Sequence, residues 1–159
     1  PESARPYFEE LGYKKMIFKK YFRKFTTVFR RMGFDEKYID FAKERLPEPT
    51  RLRLIHGNLG FGHTLFHEGK VRFFNFTQSY FAEPELDWGK FYFREGVSDE
   101  AVKEAAALLD LDFDKIVYYA YLWAMQKLSV TRKYDPKRRK EREERFLAQL
   151  ELLHKKLLK

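Results

Sequence analysis

The sequence predicts an α+β fold, mainly α, with helices around a small β-hairpin. Three observations lead there. Apolar residues recur at steps of three and four along most of the chain. Runs with strand character are confined to the stretch between Arg51 and Phe76. Apolar residues make up 44% and aromatics 18%, enough for a packed interior.

From Tyr13 to Met32, Ile17, Phe18, Tyr21, Phe22, Phe25, Val28, Phe29 and Met32 fall on one stripe at 100° per residue, which predicts an amphipathic helix. Gly33 stands where a left-handed cap ends a helix, and Asp35 is placed to cap a shorter one that Pro47 and Pro49 stop. RLRLIHG, HTLFH and KVRFFNF read as short strands, the last two joined as a hairpin through Glu68 and Gly69. TQSYFAEPELDWG reads as a loop, and helical patterning follows to the end. Ser98 caps DEAVKEAAALL, Asp112 opens a helix to about Val130, and Asp135-Pro136 opens a last one to about Leu158. On that last helix Phe146, Leu150, Leu153 and Leu157 share a face.

At 159 residues, without internal repeat or low-complexity linker, the chain suits a single domain spanning 1–159. It has no cysteine, which excludes a disulfide framework, a thiolate metal site and a cysteine nucleophile. With no apolar run long enough to span a bilayer and no secretion-signal layout, the expectation is a cytoplasmic protein without a transmembrane segment. The first residue is Pro1 rather than Met, which suggests a chain that has been trimmed or is one part of something longer.

Net charge is +8, from 32 Lys and Arg against 24 Asp and Glu. Between Leu11 and Phe34 lie Lys14, Lys15, Lys19, Lys20, Arg23, Lys24, Arg30 and Arg31, with no acid. This segment carries the whole excess. Its basic face is a candidate anion-binding surface for phosphates, an acidic protein, nucleic acid or a peripheral membrane surface, against the plain reading of a solvated helix face. Aromatic residues there belong to the apolar stripe, so base stacking is not indicated. KRRKEREER, from Lys137 to Arg145, pairs opposite charges four apart (Lys137 with Glu141, Arg139 with Glu143, Lys140 with Glu144) and reads as a self-neutralising surface.

The region that invites chemistry is LIHGNLGFGHTLFHEGKVRFFNFTQ. It contains His56-Gly57-Asn58, then His63, then Phe74-Asn75-Phe76, and Glu83-Pro84-Glu85-Leu86-Asp87 follows. Order and spacing resemble the C-terminal lobe of the aminoglycoside- and choline-kinase-like phosphotransferases, relatives of the protein kinases, across essentially the whole chain. The resemblance implies a kinase-like fold and assigns roles. Asn58 stands at the position of the proton-accepting Asp, His63 and Asn75 at the two magnesium positions, and His56 and Asp87 at positions that support the loop. Three of these depart from the pattern. An amide takes up no proton at neutral pH, magnesium favours carboxylate oxygen, and histidine nitrogen suits zinc or copper. Lipopolysaccharide core kinases are similar in carrying His at the position of His63.

The 55 residues before His56 show no strand-rich, nucleotide-binding N-terminal lobe, and GNLGFG lacks the ending and setting of a phosphate-binding loop. His63 and His67 read as an incidental pair rather than a metal site, having no third ligand. His56 and Asp87 read as structural rather than catalytic. The resemblance, with its acids replaced, thus implies a degenerate, non-catalytic domain, a pseudokinase, without cofactor, that binds an anionic or protein partner. The alternative is an active phosphotransferase using ATP and magnesium, with an alcohol group of a sugar-containing or lipopolysaccharide-type molecule as acceptor. Nucleic-acid binding is a second alternative.

Overall fold

A computed structural model describes residues 18–31, 33–48, 51–134 and 139–158. Its elements in chain order are α1 (Phe18–Arg31), α2 (Glu36–Glu44), β1 (Arg53–Ile55), β2 (Thr64–His67), β3 (Lys70–Phe73), β4 (Tyr80–Ala82), α3 (Pro84–Glu95), α4 (Asp99–Leu109), α5 (Phe113–Tyr134) and α6 (Arg139–Leu157). Single 3-10 turns occupy Phe61–His63 and Phe76–Gln78. The fold is α+β and mainly helical, as the periodicity predicts.

Helix α5 organises the interior. Every residue from Ile116 to Met125 is buried, because α3, α6 and α1 all pack against it. A helix apolar around most of its circumference is stable only when covered in this way. Its start matches the expectation: Asp112 accepts the backbone N–H groups of Asp114 and Lys115 at 2.9 and 3.2 Å. Its end lies at Tyr134, beyond Val130. The proposed opening of the last helix at Asp135-Pro136 lies outside the described residues.

Local signals elsewhere are realised. Asp35 accepts from the Lys37 N–H at 3.0 Å and Ser98 from the Ala101 N–H at 3.2 Å, each satisfying an orphan donor of a helix start. β2 and β3 form the hairpin, with Thr64 opposite Phe73 and His67 opposite Lys70. Its turn places Glu68 and Gly69 both at positive φ, the twist that matches paired strands.

Two parts differ from the sequence expectation. Strand character stops at Phe73, because Asn75 adopts φ 64° and ψ 56° and takes the chain out of the ladder. The segment expected as a loop supplies β4, which pairs antiparallel with β1 (Leu54 opposite Phe81), and the first half of α3. Buried acids hide its pattern. Glu83, Glu85 and Asp87 interrupt the apolar spacing, yet all three are inside the protein. Lys115 donates to Glu83 at 2.8 Å and the Tyr119 hydroxyl donates to its other oxygen. The Asp112 N–H donates to Glu85 at 3.3 Å, with Arg51 at 3.8 Å. Partners of this kind make carboxylate burial tolerable, but they come from distant parts of the chain.

Candidate functional site

The site begins where β1 ends. His56 is buried, and its Nδ1 accepts the Asn58 N–H at 3.2 Å, so the ring proton sits on Nε2, which donates to the Phe74 carbonyl at 2.8 Å. One neutral imidazole therefore fastens the loop after β1 to the end of β3. Gly57 follows at φ 75°, where a Cβ would meet the Gln78 carbonyl oxygen at 2.0 Å, so only glycine fits. The Gly57 N–H donates to Asp87 at 3.1 Å and its carbonyl accepts from Lys90 at 3.0 Å. Both groups come from the first two turns of α3, the helix that Pro84 starts.

Asn58 is half-buried, and its side-chain oxygen accepts from Arg94 Nη1 at 3.1 Å. The same guanidinium donates to the Leu59 carbonyl at 2.6 Å and from Nε to Glu95 at 2.7 Å. His63 donates from Nδ1 to the Asn58 carbonyl at 2.9 Å, and its own carbonyl accepts the Phe74 N–H at 3.1 Å. The His56 and His63 rings stack at 5.6 Å. Asn75 is exposed, with its side-chain oxygen taking the Thr77 hydroxyl at 2.8 Å. The loop and the end of β3 thus lie together.

This donor set does not suit magnesium. Asn58 faces a cation, His63 uses Nδ1 as a donor, and Asn75 offers a neutral amide engaged with a hydroxyl. Among the described residues no group of three or more His, Cys, Asp or Glu side chains could hold a metal ion. His67 is on the exposed strand β2 beside Glu68.

Burial drives the Asp87 carboxyl above the usual carboxylate range, although the backbone N–H groups of Gly57 and His56 and the Lys90 charge oppose it. Burial pushes Lys90 down to about 8, with Arg94 and Lys127 adding repulsion and Asp87 opposing. Lys127, on α5, is lowered for the same first reason, with Arg94 contributing.

Lys90 and Lys127 border a cleft of about 310 Å³ between the loop, α3 and α5, lined also by Asn58, Arg94, Trp123 and Gln126 among others. Sequence reasoning missed Lys90, Arg94 and Lys127. The first two are four apart on one helix and share a face, which is the one legible hint; Lys127 arrives only through packing.

The expected anion-binding helix is partly neutralised. Arg30 forms a two-pronged pair with Glu36 of α2 at 2.7 and 3.0 Å, so an acid from outside the basic segment answers one of its cations. Arg23 and Arg31 are exposed. Lys15 lies outside the described residues, as do the side chains of Lys19, Lys20 and Lys24. The apolar face turns inward through Phe22, Thr26 and Phe29, while Val28 is exposed. On α6, Arg139 pairs with Glu143 at 3.0 Å. Large exposed apolar side chains gather on and beside the hairpin, including Phe66, Val71, Phe73 and Phe74. Among the described residues no helix is long and apolar enough to cross a membrane.

No protein-family model matches the chain, and no curated protein or solved structure matches it either.

Proposed function

We propose that this chain is a kinase-like domain of the aminoglycoside/choline phosphotransferase type that has given up phosphoryl transfer and binds an anionic or protein partner. The observation that carries this reading is the bond from Arg94 to the side-chain oxygen of Asn58 at 3.1 Å. A general base must accept a proton, and here an amide stands at that place with a guanidinium on its oxygen. The same positive charge opposes a second cation arriving beside it. Asn75, bonded to Thr77, adds no negative charge.

Two surfaces support partner binding. Arg23 and Arg31 on α1 offer exposed cations for an anionic partner. The hairpin exposes Phe66 to 71% and Val71 to 54%, an apolar surface of the kind protein partners cover.

A specific observation favours the second reading, an active phosphotransferase on a sugar-containing or lipopolysaccharide-type acceptor. Asp87 still clamps the loop through the Gly57 N–H. Calorimetric titration with ATP, with and without magnesium, separates the two. Under the proposed reading the wild type shows no magnesium-dependent ATP binding, and Asn58→Asp with Asn75→Asp gains magnesium affinity. Magnesium-dependent ATP binding and turnover by the wild type would instead establish the enzyme. Nucleic-acid binding predicts affinity that falls steeply with salt in a gel-shift assay.

A further inference from the structure

We propose that the cleft between α3 and α5 is an oxyanion-binding site for a small phosphorylated or sulfated molecule, held by Lys90, Arg94 and Lys127. It is separate from the basic face of α1 and does not depend on whether the domain transfers phosphate.

The charge arrangement is the first ground. Three cations line the cleft, and no carboxylate does among the described residues. Arg94 is answered by Glu95 at 2.7 Å. Lys90 is held from behind, by the Gly57 carbonyl at 3.0 Å and over the Trp123 ring at 4.8 Å, and Asp87 acts on it while bonded to the loop backbone. The Lys127 ammonium has no partner among the described residues, although it is only half-exposed. A partly desolvated cation without a counter-charge is costly in the empty protein, and an incoming oxyanion relieves that cost through charge-assisted hydrogen bonds. Burial, with repulsion among the three cations, lowers the proton affinity of Lys90 and Lys127.

Shape is the second ground. A volume of about 310 Å³ lies at the lower end of small-ligand pockets, roughly 300 to 1,000 Å³, so the occupant is a small molecule rather than a polymer. The amides of Asn58 and Gln126 at the lining can hydrogen-bond hydroxyl groups next to the anion. Together these features fit a sugar phosphate or a molecule of similar size and charge.

The test uses the whole chain, with inorganic phosphate, sulfate and a hexose phosphate titrated calorimetrically against chloride at matched ionic strength. The expected result is saturable binding of all three oxyanions, with the hexose phosphate at least as tight as inorganic phosphate. Lys127→Gln weakens binding by about tenfold or more, Lys127→Arg retains it, and without ligand neither variant unfolds below the wild-type temperature. Reversing the charges of Arg23 and Arg31 on α1 leaves it unchanged. The proposal is overturned if no oxyanion saturates, if Lys127→Gln binds as well as wild type, if binding follows the α1 charges, or if inorganic phosphate binds and the hexose phosphate does not. None of these results depends on the ATP titration.

Discussion

The Asp87 carboxylate accepts the backbone N–H of Gly57 at 3.1 Å, joining the first turn of α3 to the loop after β1 across 30 positions of chain. That bond fixes the loop from inside the protein, where water cannot replace it. Asp87→Ala leaves a buried N–H without its acceptor and is expected to cost about 2 kcal/mol or more in urea unfolding. Asp87→Asn keeps an acceptor and costs less. Because burial raises the folded carboxyl above its unfolded value, the native state holds the proton to higher pH, and the wild type loses stability as pH rises through that range. The asparagine variant does not titrate there, so its deficit narrows from acid toward neutral pH.

Lys90 gives the opposite slope at the alkaline end. Its folded value is pushed down to about 8 against the usual 10.5, so between these the unfolded chain holds a proton that the folded one has released. Stability from this group therefore rises with pH across the window. The charges acting on it are Asp87 and Arg94 from α3 and Lys127 from α5, and Lys127 contributes in the same direction. Buried Tyr118, Tyr119 and Tyr121, whose phenols burial raises, reverse the trend once tyrosines of the unfolded chain ionise near pH ~10. Urea unfolding between pH ~7 and ~10 should show a positive slope that is reduced in Lys90→Met. An equal slope in the variant would assign the effect elsewhere.

Gly89 sets the distance between α3 and α5. A Cβ there would sit 2.5 Å from the Tyr119 Cβ, 2.8 Å from the Ala120 nitrogen and 2.9 Å from the Ile116 carbonyl oxygen. Those neighbours belong to the most buried stretch of the protein and cannot give way. Alanine normally favours a helix over glycine by about 1 kcal/mol, yet Gly89→Ala is expected to destabilise by a net ~2 kcal/mol, because the overpacking outweighs it. Gly62→Ala, where a Cβ meets nothing within 4 Å, is the control and should change thermal stability little.

How much of this was legible varies with where each residue finds its partner. The caps at Asp35, Ser98 and Asp112 act within three residues of themselves, so local pattern suffices to place them. The hairpin was legible because its turn and alternating side chains are contiguous. β4 was not, because its pairing partner β1 lies far back in the chain. α3 was half-hidden for a related reason: Glu83, Glu85 and Asp87 look like solvent-facing residues until Lys115, Arg51 and the Gly57 N–H are brought to them. For the site, the linear order of His56, Asn58, His63 and Asn75 drew attention to the loop, but it carried no sign of Arg94 on Asn58.

The sequence by itself determined the mainly helical class, the helix starts, the hairpin and the absence of acids at Asn58 and Asn75, since each is set by residue identity or by neighbours a few positions away. Only the tertiary structure decided that Arg30 is answered by Glu36, that three acids go inside, and that Lys90, Arg94 and Lys127 meet at one cleft. Charges act through space, and the folded backbone alone sets which of them become neighbours and how much water is left between them.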